Sequence, residues 1–269
     1  MQKETSTEWQ TESEYGVCRL SVINLYAEPR LGTGLITQLL FGETYVVLDR
    51  SSCRKWLKVV GTDDTGEGWM AALQHQDVSH KEFMLFNDQD YQITLAPIST
   101  IYFKGQILHL LPGSNLHVSQ NELFDMGESI RFTGESRPQS LKASRQQISQ
   151  IALSFLNVPA QFGGRSFFGI GAGAFVHLVF KIGGYSFPRF LSQIILKGKL
   201  MNPEGALPGD ILIFANDRKV HDHVGIYLGE GEMIHVNGKV TRNKVNLNGA
   251  SVDKNISPYW HVHEIRNIM

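Results

Sequence analysis

His223 opens the segment His-Val-Gly-Ile-Tyr-Leu-Gly229, and His235 ends Met-Ile-His after the Glu230-Gly231 turn. That is the spacing a hairpin needs to bring both imidazoles onto one face. Such a pair can bind an anionic group, or it can stay a structural, hydrogen-bonded pair, since buried polar groups must be satisfied in any case. A metal site competes with both readings. His221, Asp222 and His223 lie together and His235 could join them, because positions 221 and 223 of a regular strand face the same side. No motif of established ligand spacing accompanies these residues, so neither a metal nor another cofactor is expected. His261 and His263, with Trp260, are assigned to the final strand. The glycines at 169 to 173 fail as a dinucleotide fingerprint, since the third glycine and the downstream acidic residue are not in place.

Upstream stands Phe162-Gly-Gly-Arg-Ser-Phe-Phe-Gly-Ile-Gly-Ala-Gly-Ala-Phe-Val-His177. This run resembles the nucleophile segment of the NlpC family of bacterial cell-wall cysteine peptidases. There, Tyr-x-Trp-Gly-Gly-x-Ser/Thr precedes Gly-Ile-Asp-Cys-Ser-Gly-Phe-Val at the start of a helix. Gly163, Gly164, Arg165, Ser166, Gly169, Ile170, Phe175 and Val176 fit the pattern, but Asp-Cys-Ser-Gly is replaced by Gly171-Ala172-Gly173-Ala174. A cysteine gains at that place because unpaired N–H groups at a helix N-terminus stabilise a thiolate and then an oxyanion. Alanine has no electron pair to donate. Three neighbours depart from the pattern together with Ala172, so the loss reads as native to the chain.

The resemblance implies further roles. His223 matches the general base and His235 the residue that orients it. Relatives that trim free L-Ala-γ-D-Glu-diamino-acid peptides bind the substrate's amine with a Tyr before the Trp-Gly-Gly stretch and with the acid of a Pro-Arg-Asp segment. Ala160 and Phe190 occupy those positions here. Glu43 matches an acidic residue that helps to hold the same amine. Nucleophile and amine pocket have both changed, while the glycines that specify the fold remain.

Positioning these residues takes three units. From residue 15 to 80, short apolar runs between Gly, Pro, Asn and Asp turns predict a small β-barrel. Asn24-Leu-Tyr-Ala-Glu-Pro29, Phe41-Gly42-Glu43 and Gly68-Trp69 resemble bacterial SH3-like domains. Trp56 is expected in the barrel core, whereas Trp69 is open to core packing or to lining a ligand cleft. Residues 81–136 again read as short strands around a Pro112-Gly113 turn, and are expected to form a second, divergent SH3-like barrel. Gly134 to Gln139 is a linker. Ser140 is a candidate cap for a helix with Ile148, Ile151, Ala152, Phe155 and Leu156 on one face, opening a third unit at 140–269. A second helix is predicted from Ala172 to Ile182, stopped by Gly183-Gly184. Strands follow at 208–214, 223–229, 233–235 and 240–242. The fold class is α+β: two small SH3-like barrels and a papain-like unit of the NlpC type.

The 269 residues carry a net charge of −1 with both signs interspersed, which disfavours nucleic acid and anionic membrane surfaces as partners. Cys18 and Cys53 are the only cysteines, too few for a disulfide framework and badly placed to replace a nucleophile. The polar start Met1-Gln-Lys-Glu-Thr-Ser-Thr-Glu8 lacks the apolar core of a signal peptide, so the sequence as it stands predicts a cytoplasmic protein, or an exported one if a leader has been trimmed. The functional expectation is a catalytically inactive homologue that binds a peptide, a muropeptide-like ligand or a protein partner. The alternative is a residual hydrolase using His223 and His235 with water or a metal.

Overall fold

The structure, a computed structural model, describes residues 13–63, 66–103, 105–117, 132–215, 221–248 and 261–269. Its first unit is a seven-stranded antiparallel sheet built from β1 (Glu14–Val17), β2 (Val22–Tyr26), β3 (Leu35–Leu40), β4 (Thr44–Arg50), β5 (Trp56–Gly61), β6 (Glu67–Ala71) and β7 (Asp77–Val78), in the order β3-β2-β6-β5-β4-β1-β7. Period-two alternation sends Ile23, Leu25, Leu57, Val59 and Met70 inward, where they pack with Cys18, Leu39 and Tyr45. The alternating run at 17–23 is two strands, not one. The Cys18 N–H donates to the Glu43 carbonyl at 2.8 Å and the Gly42 N–H to that of Cys18 at 2.8 Å, tying the break to the β3–β4 turn. Trp56 corrects the expectation of a core role. It alternates with buried Leu57, so it lies half-buried outside the core cluster, edge-on to Tyr26 at 6.0 Å between ring centroids. Trp69 is likewise half-buried, paired with Tyr26 across β2 and β6.

The middle unit opens with a helix rather than a strand. α1 (His80–Asp88) starts at a reciprocal capping box between Ser79 and Glu82 and buries Phe83 and Phe86. Two three-stranded sheets follow from β8 (Gln92–Thr94), β9 (Ser99–Phe103), β10 (Gln106–Leu110), β11 (Asn115–Leu116), β12 (Phe132–Thr133) and β13 (Ser136–Pro138), ordered β10-β9-β12 and β11-β8-β13. Pro112-Gly113 makes the expected turn, with Gly113 at φ +85°. Residues 118–131, within the span read as short strands, lie outside the described residues, as do Trp260 and the first twelve residues.

In the third unit, α2 (Arg145–Ser154) is capped by Ser144, whose hydroxyl accepts from the Gln147 N–H while Gln147 reaches back. Ser140 is therefore not the cap. Its hydroxyl and N–H bind the Asp90 carboxylate at 2.5 and 3.1 Å, anchoring the linker to the middle unit. After the short pair β14 (Arg165–Ser166) and β15 (Gly169–Ile170) comes α3 (Ala172–Ile182), which ends as expected at Gly183. Every residue of α3 from Ala174 onward is buried, as a helix apolar on all sides requires. The short α4 (Leu191–Ile194) leads into β16 (Lys199–Met201), β17 (Ile211–Ala215), β18 (His221–Gly229), β19 (Glu232–Asn237), β20 (Lys239–Lys244) and β21 (His261–Asn267). These six form an antiparallel sheet ordered β16-β21-β17-β18-β19-β20, and α3 packs on β18 and β19. Among the described residues, no helix is long and apolar enough to cross a membrane.

Candidate functional site

Gly171 caps α3 without a side chain, so the first turn presents its N–H groups directly beside Ala172. Gly171, Ala172 and Gly173 are each half-buried, and Ala160 is exposed, bonded through its N–H to the Gly238 carbonyl at 2.9 Å. Ala174 fills the core, 3% exposed. Gly173 packs against the backbone of Arg189, and a β-carbon on it would lie 2.2 Å from that carbonyl oxygen. The segment carrying Phe190 is thus pressed onto the first turn of α3.

His223 and His235 meet as the hairpin spacing predicts, His223 Nε2 lying 2.7 Å from His235 Nδ1. Asn243, which the sequence reading missed, completes the chain. Its Oδ1, 2.9 Å away, accepts from His235 Nε2, which leaves Nδ1 to accept from His223 Nε2. Burial, helped by the His235 imidazole, pushes the His223 pKa down to about 3, and burial lowers His235 too. The pair is neutral at pH 7.

The metal reading that joined His221 to His223 is overturned by a bulge. His223 pairs with Phe214 but His221 pairs with Ala215, so Asp222 is the extra residue. Phe214 and Ala215 are neighbours on one strand and face opposite ways, hence the two histidines do too. His223 stacks near Phe214 at 5.8 Å, whereas His221 stands 4.9 Å from His263.

Glu43 is 1% exposed, and its carboxylate is fully engaged. Arg165 grips it with two bonds of 2.9 and 2.8 Å, Lys181 Nζ lies at 2.5 Å, and the Leu40 N–H donates at 2.9 Å. Burial would raise this pKa, but the charges of Arg165 and then Lys181 prevail and hold it at about 2. Arg165 also donates to His177 Nε2 at 3.1 Å, and His177 Nδ1 to the Phe187 carbonyl at 2.6 Å. Burial and then the Arg165 charge push His177 down to about 4. Lys181 completes the network with Asp63 at 2.6 Å. An acidic residue expected to receive a ligand's amine is instead a buried strut between the barrel and α3.

Arg189 is a buried cation of another kind. It is 6% exposed, it stacks on the Phe190 ring at 4.1 Å, and its Nε and Nη2 have no hydrogen-bond partner among the described residues. Burial, then repulsion from Arg165, lowers its pKa to about 10. Phe190 itself reaches the barrel, since a β-carbon on Gly66 would meet the tip of its ring at 2.5 Å. The structure therefore groups Ala172, Gly173, Phe190 and Arg189 at the first turn of α3, and His223, His235 and Asn243 on β18, β19 and β20. Trp69 stays on the barrel's outer face. Sequence reasoning missed the Arg165–Lys181–Asp63 network and the buried charge of Arg189. The available signal was Lys181 inside an apolar helix, where a charge demands a partner.

Residues 157–266 match the NlpC/P60 family, and residues 21–73 match the bacterial SH3 domain. The chain is 28% identical over 220 residues to a gamma-D-glutamyl-L-lysine dipeptidyl-peptidase of Bacillus subtilis (strain 168), covering 74% of this chain and 71% of that one. It is 23% identical over 252 residues to dipeptidyl-peptidase 6 of Lysinibacillus sphaericus, covering 84% of this chain and 88% of the other. A crystal structure of an NlpC/P60 family protein from Bacillus cereus ATCC 10987 shares the fold with a TM-score of 0.76 at 18% identity, covering 95% of this chain and 99% of that one. The chain therefore joins a bacterial SH3 domain to an NlpC/P60 domain.

Proposed function

We propose that this chain is a non-hydrolysing relative of the cell-wall peptidases, a binding or regulatory protein whose cleft holds a peptide, a muropeptide fragment or a partner protein. The observation that carries the reading is Ala172, the first residue of α3, at the position where the family places its thiolate. Neither cysteine is placed to substitute. Cys18 is sealed in the barrel core and pushed up to about 12 by burial, while Cys53 sits exposed on the turn between β4 and β5. A base held near pKa 3 is also far from the value that suits proton abstraction at neutral pH, which weighs against a residual hydrolase working through His223. Crowding of Gly173 by the Arg189 backbone supports a reshaped site rather than one lacking a single atom. In this reading residues 81–136 are a second, divergent SH3-like unit.

The test is turnover of L-Ala-γ-D-Glu-diamino-acid peptides by metal-free protein, beside a nucleophile-bearing homologue. Loss of a nucleophile costs about a million-fold in the one well-dissected serine-protease series, so no turnover is expected. A rate within about a hundredfold of the homologue's overturns the proposal.

A further inference from the structure

We infer that His221, His263 and Glu264 form a binding site for a divalent transition-metal ion of the zinc type, separate from the His223–His235 pair. The ligand atoms of the three residues all lie within 4.8 Å of one another. Two imidazoles and a carboxylate are a zinc ligand set that leaves a position open for solvent. Tetrahedral bonds of about 2 Å need donors about 3.3 Å apart, a closure that modest side-chain rotation supplies.

The topology explains how residues from two strands that are not neighbours come together. His221 is on β18, the other two are on β21, and β17 runs between them. Strands two apart are about 9.6 Å distant, too far for direct pairing. The intervening residue opposite His221 is Ala215, whose methyl leaves room above it. A bulge in the β17–β21 ladder makes His263 the extra residue between Val262 and Glu264, and its ring comes to 4.9 Å from that of His221. Two further observations point to a ligand. His221 Nε2 is buried and has no hydrogen-bond partner among the described residues. Arg266 holds Glu264 Oε2 through Nε at 2.9 Å and Nη2 at 2.6 Å, which orients the carboxylate and leaves Oε1 for a monodentate bond. Among the described residues a second group, Glu14, His75 and Asp77, differs in kind: it offers one imidazole instead of two, with His75 Nδ1 bonded to the Tyr45 hydroxyl at 2.9 Å and Nε2 at ion-pair distance, 3.0 Å, from Glu14. Because His221 and His223 face opposite sides of the sheet, the ion would clamp β18 to β21 rather than activate water for the histidine pair.

Titration of the full chain with Co²⁺, read by visible absorption, and with Zn²⁺, read by calorimetry, tests this. Expected are one ion per chain, an intense tetrahedral cobalt band, and a higher melting temperature with zinc. His263→Gln, an exposed position, and His221→Ala should each weaken binding by at least about tenfold, and Glu264→Gln by a similar factor. His235→Asn should leave the affinity unchanged. Should His221→Ala fail to fold, His263→Gln and the wild-type histidine NMR shifts on adding zinc still decide. Absence of stoichiometric binding, survival of binding in His263→Gln, or its loss in His235→Asn overturns the assignment.

Discussion

Gly173 and Arg189 are in backbone contact: a β-carbon on the glycine would lie 2.2 Å from the arginine's carbonyl oxygen, a distance that side chains do not tolerate. The resemblance implies a serine at this position, and the Arg189 carbonyl as it lies here leaves no room for a serine's β-carbon. Gly171 is different, since its added β-carbon would find its nearest neighbour at 3.4 Å. Gly173→Ser is expected to destabilise the fold by about 1–3 kcal/mol through overpacking. Gly171→Asp should be neutral or stabilising by a few tenths of a kcal/mol, because an aspartate at the helix cap can accept from the free N–H groups. Urea unfolding with unchanged m-values measures both. Equal stability of the two variants would mean that the Arg189 segment yields freely.

Glu43 joins the barrel to the third unit through Arg165 and Lys181, and Glu43→Gln leaves Arg165 without its counter-ion and Lys181 with Asp63 alone. Breaking a buried pair in this way costs about 3–5 kcal/mol. The pH dependence has a definite sign. The carboxyl falls from its ordinary 4.5 to about 2 on folding, so its contribution is complete above the ordinary value and is lost as pH falls through 4.5 towards 2. Unfolding free energies from about pH 6 down to about pH 2 should therefore fall steeply in the natural protein and less steeply in Glu43→Gln. Parallel curves would contradict the buried ion pair.

Local patterns were legible and long-range pairings were not. The Gly183-Gly184 stop of α3 and the hairpin pairing of His223 with His235 follow from spacing alone, because both are decided within a few residues. Ser140 and Ser144 look alike as caps, and only Gln147, three residues after Ser144, makes the second one reciprocal. The bulge at Asp222 turns His221 away from His223, yet alternation carries no mark of it. Lys181 announced a buried partner without naming it. That partner, Glu43, lies 138 residues earlier in the chain.

Ligand charge at Phe190 is open to direct measurement. The aromatic ring stands where the resemblance implies a carboxylate, Arg189 stacks on it with two nitrogens that have no hydrogen-bond partner among the described residues, and Glu43 is committed elsewhere. An ammonium group there would lose a charge-assisted bond, a few kcal/mol, and gain a like-charged neighbour. In calorimetric titrations, peptides with an acetylated N-terminus should bind at least as tightly as those with a free one. A strong preference for the free amine would reveal an acidic group that has taken over its recognition.

Ala172→Cys should produce a reactive thiol before it produces an enzyme. The substituted position opens α3, where the helix N-terminus lowers a thiol's pKa and speeds alkylation. Cys18 will not compete, since burial pushes it up to about 12, but Cys53 is exposed and held below its ordinary value by the Ser51 hydroxyl. Iodoacetamide labelling is therefore best read in a Cys53→Ser background. Reactivity alone does not position a peptide. With Ala160 and Phe190 unchanged the substrate amine lacks its partners, and misplacement by about an ångström costs about a hundredfold in rate. Phe190→Asp and Ala160→Tyr should be needed together with Ala172→Cys, the exposure of Ala160 leaving room for the larger ring. Their effects should be far from additive, because residues of one site act as a unit. Turnover measured across the single and combined variants decides the matter. Full activity in Ala172→Cys alone would mean that the recognition pocket never changed, and that the crowding of Gly173 by Arg189 has no consequence for substrate.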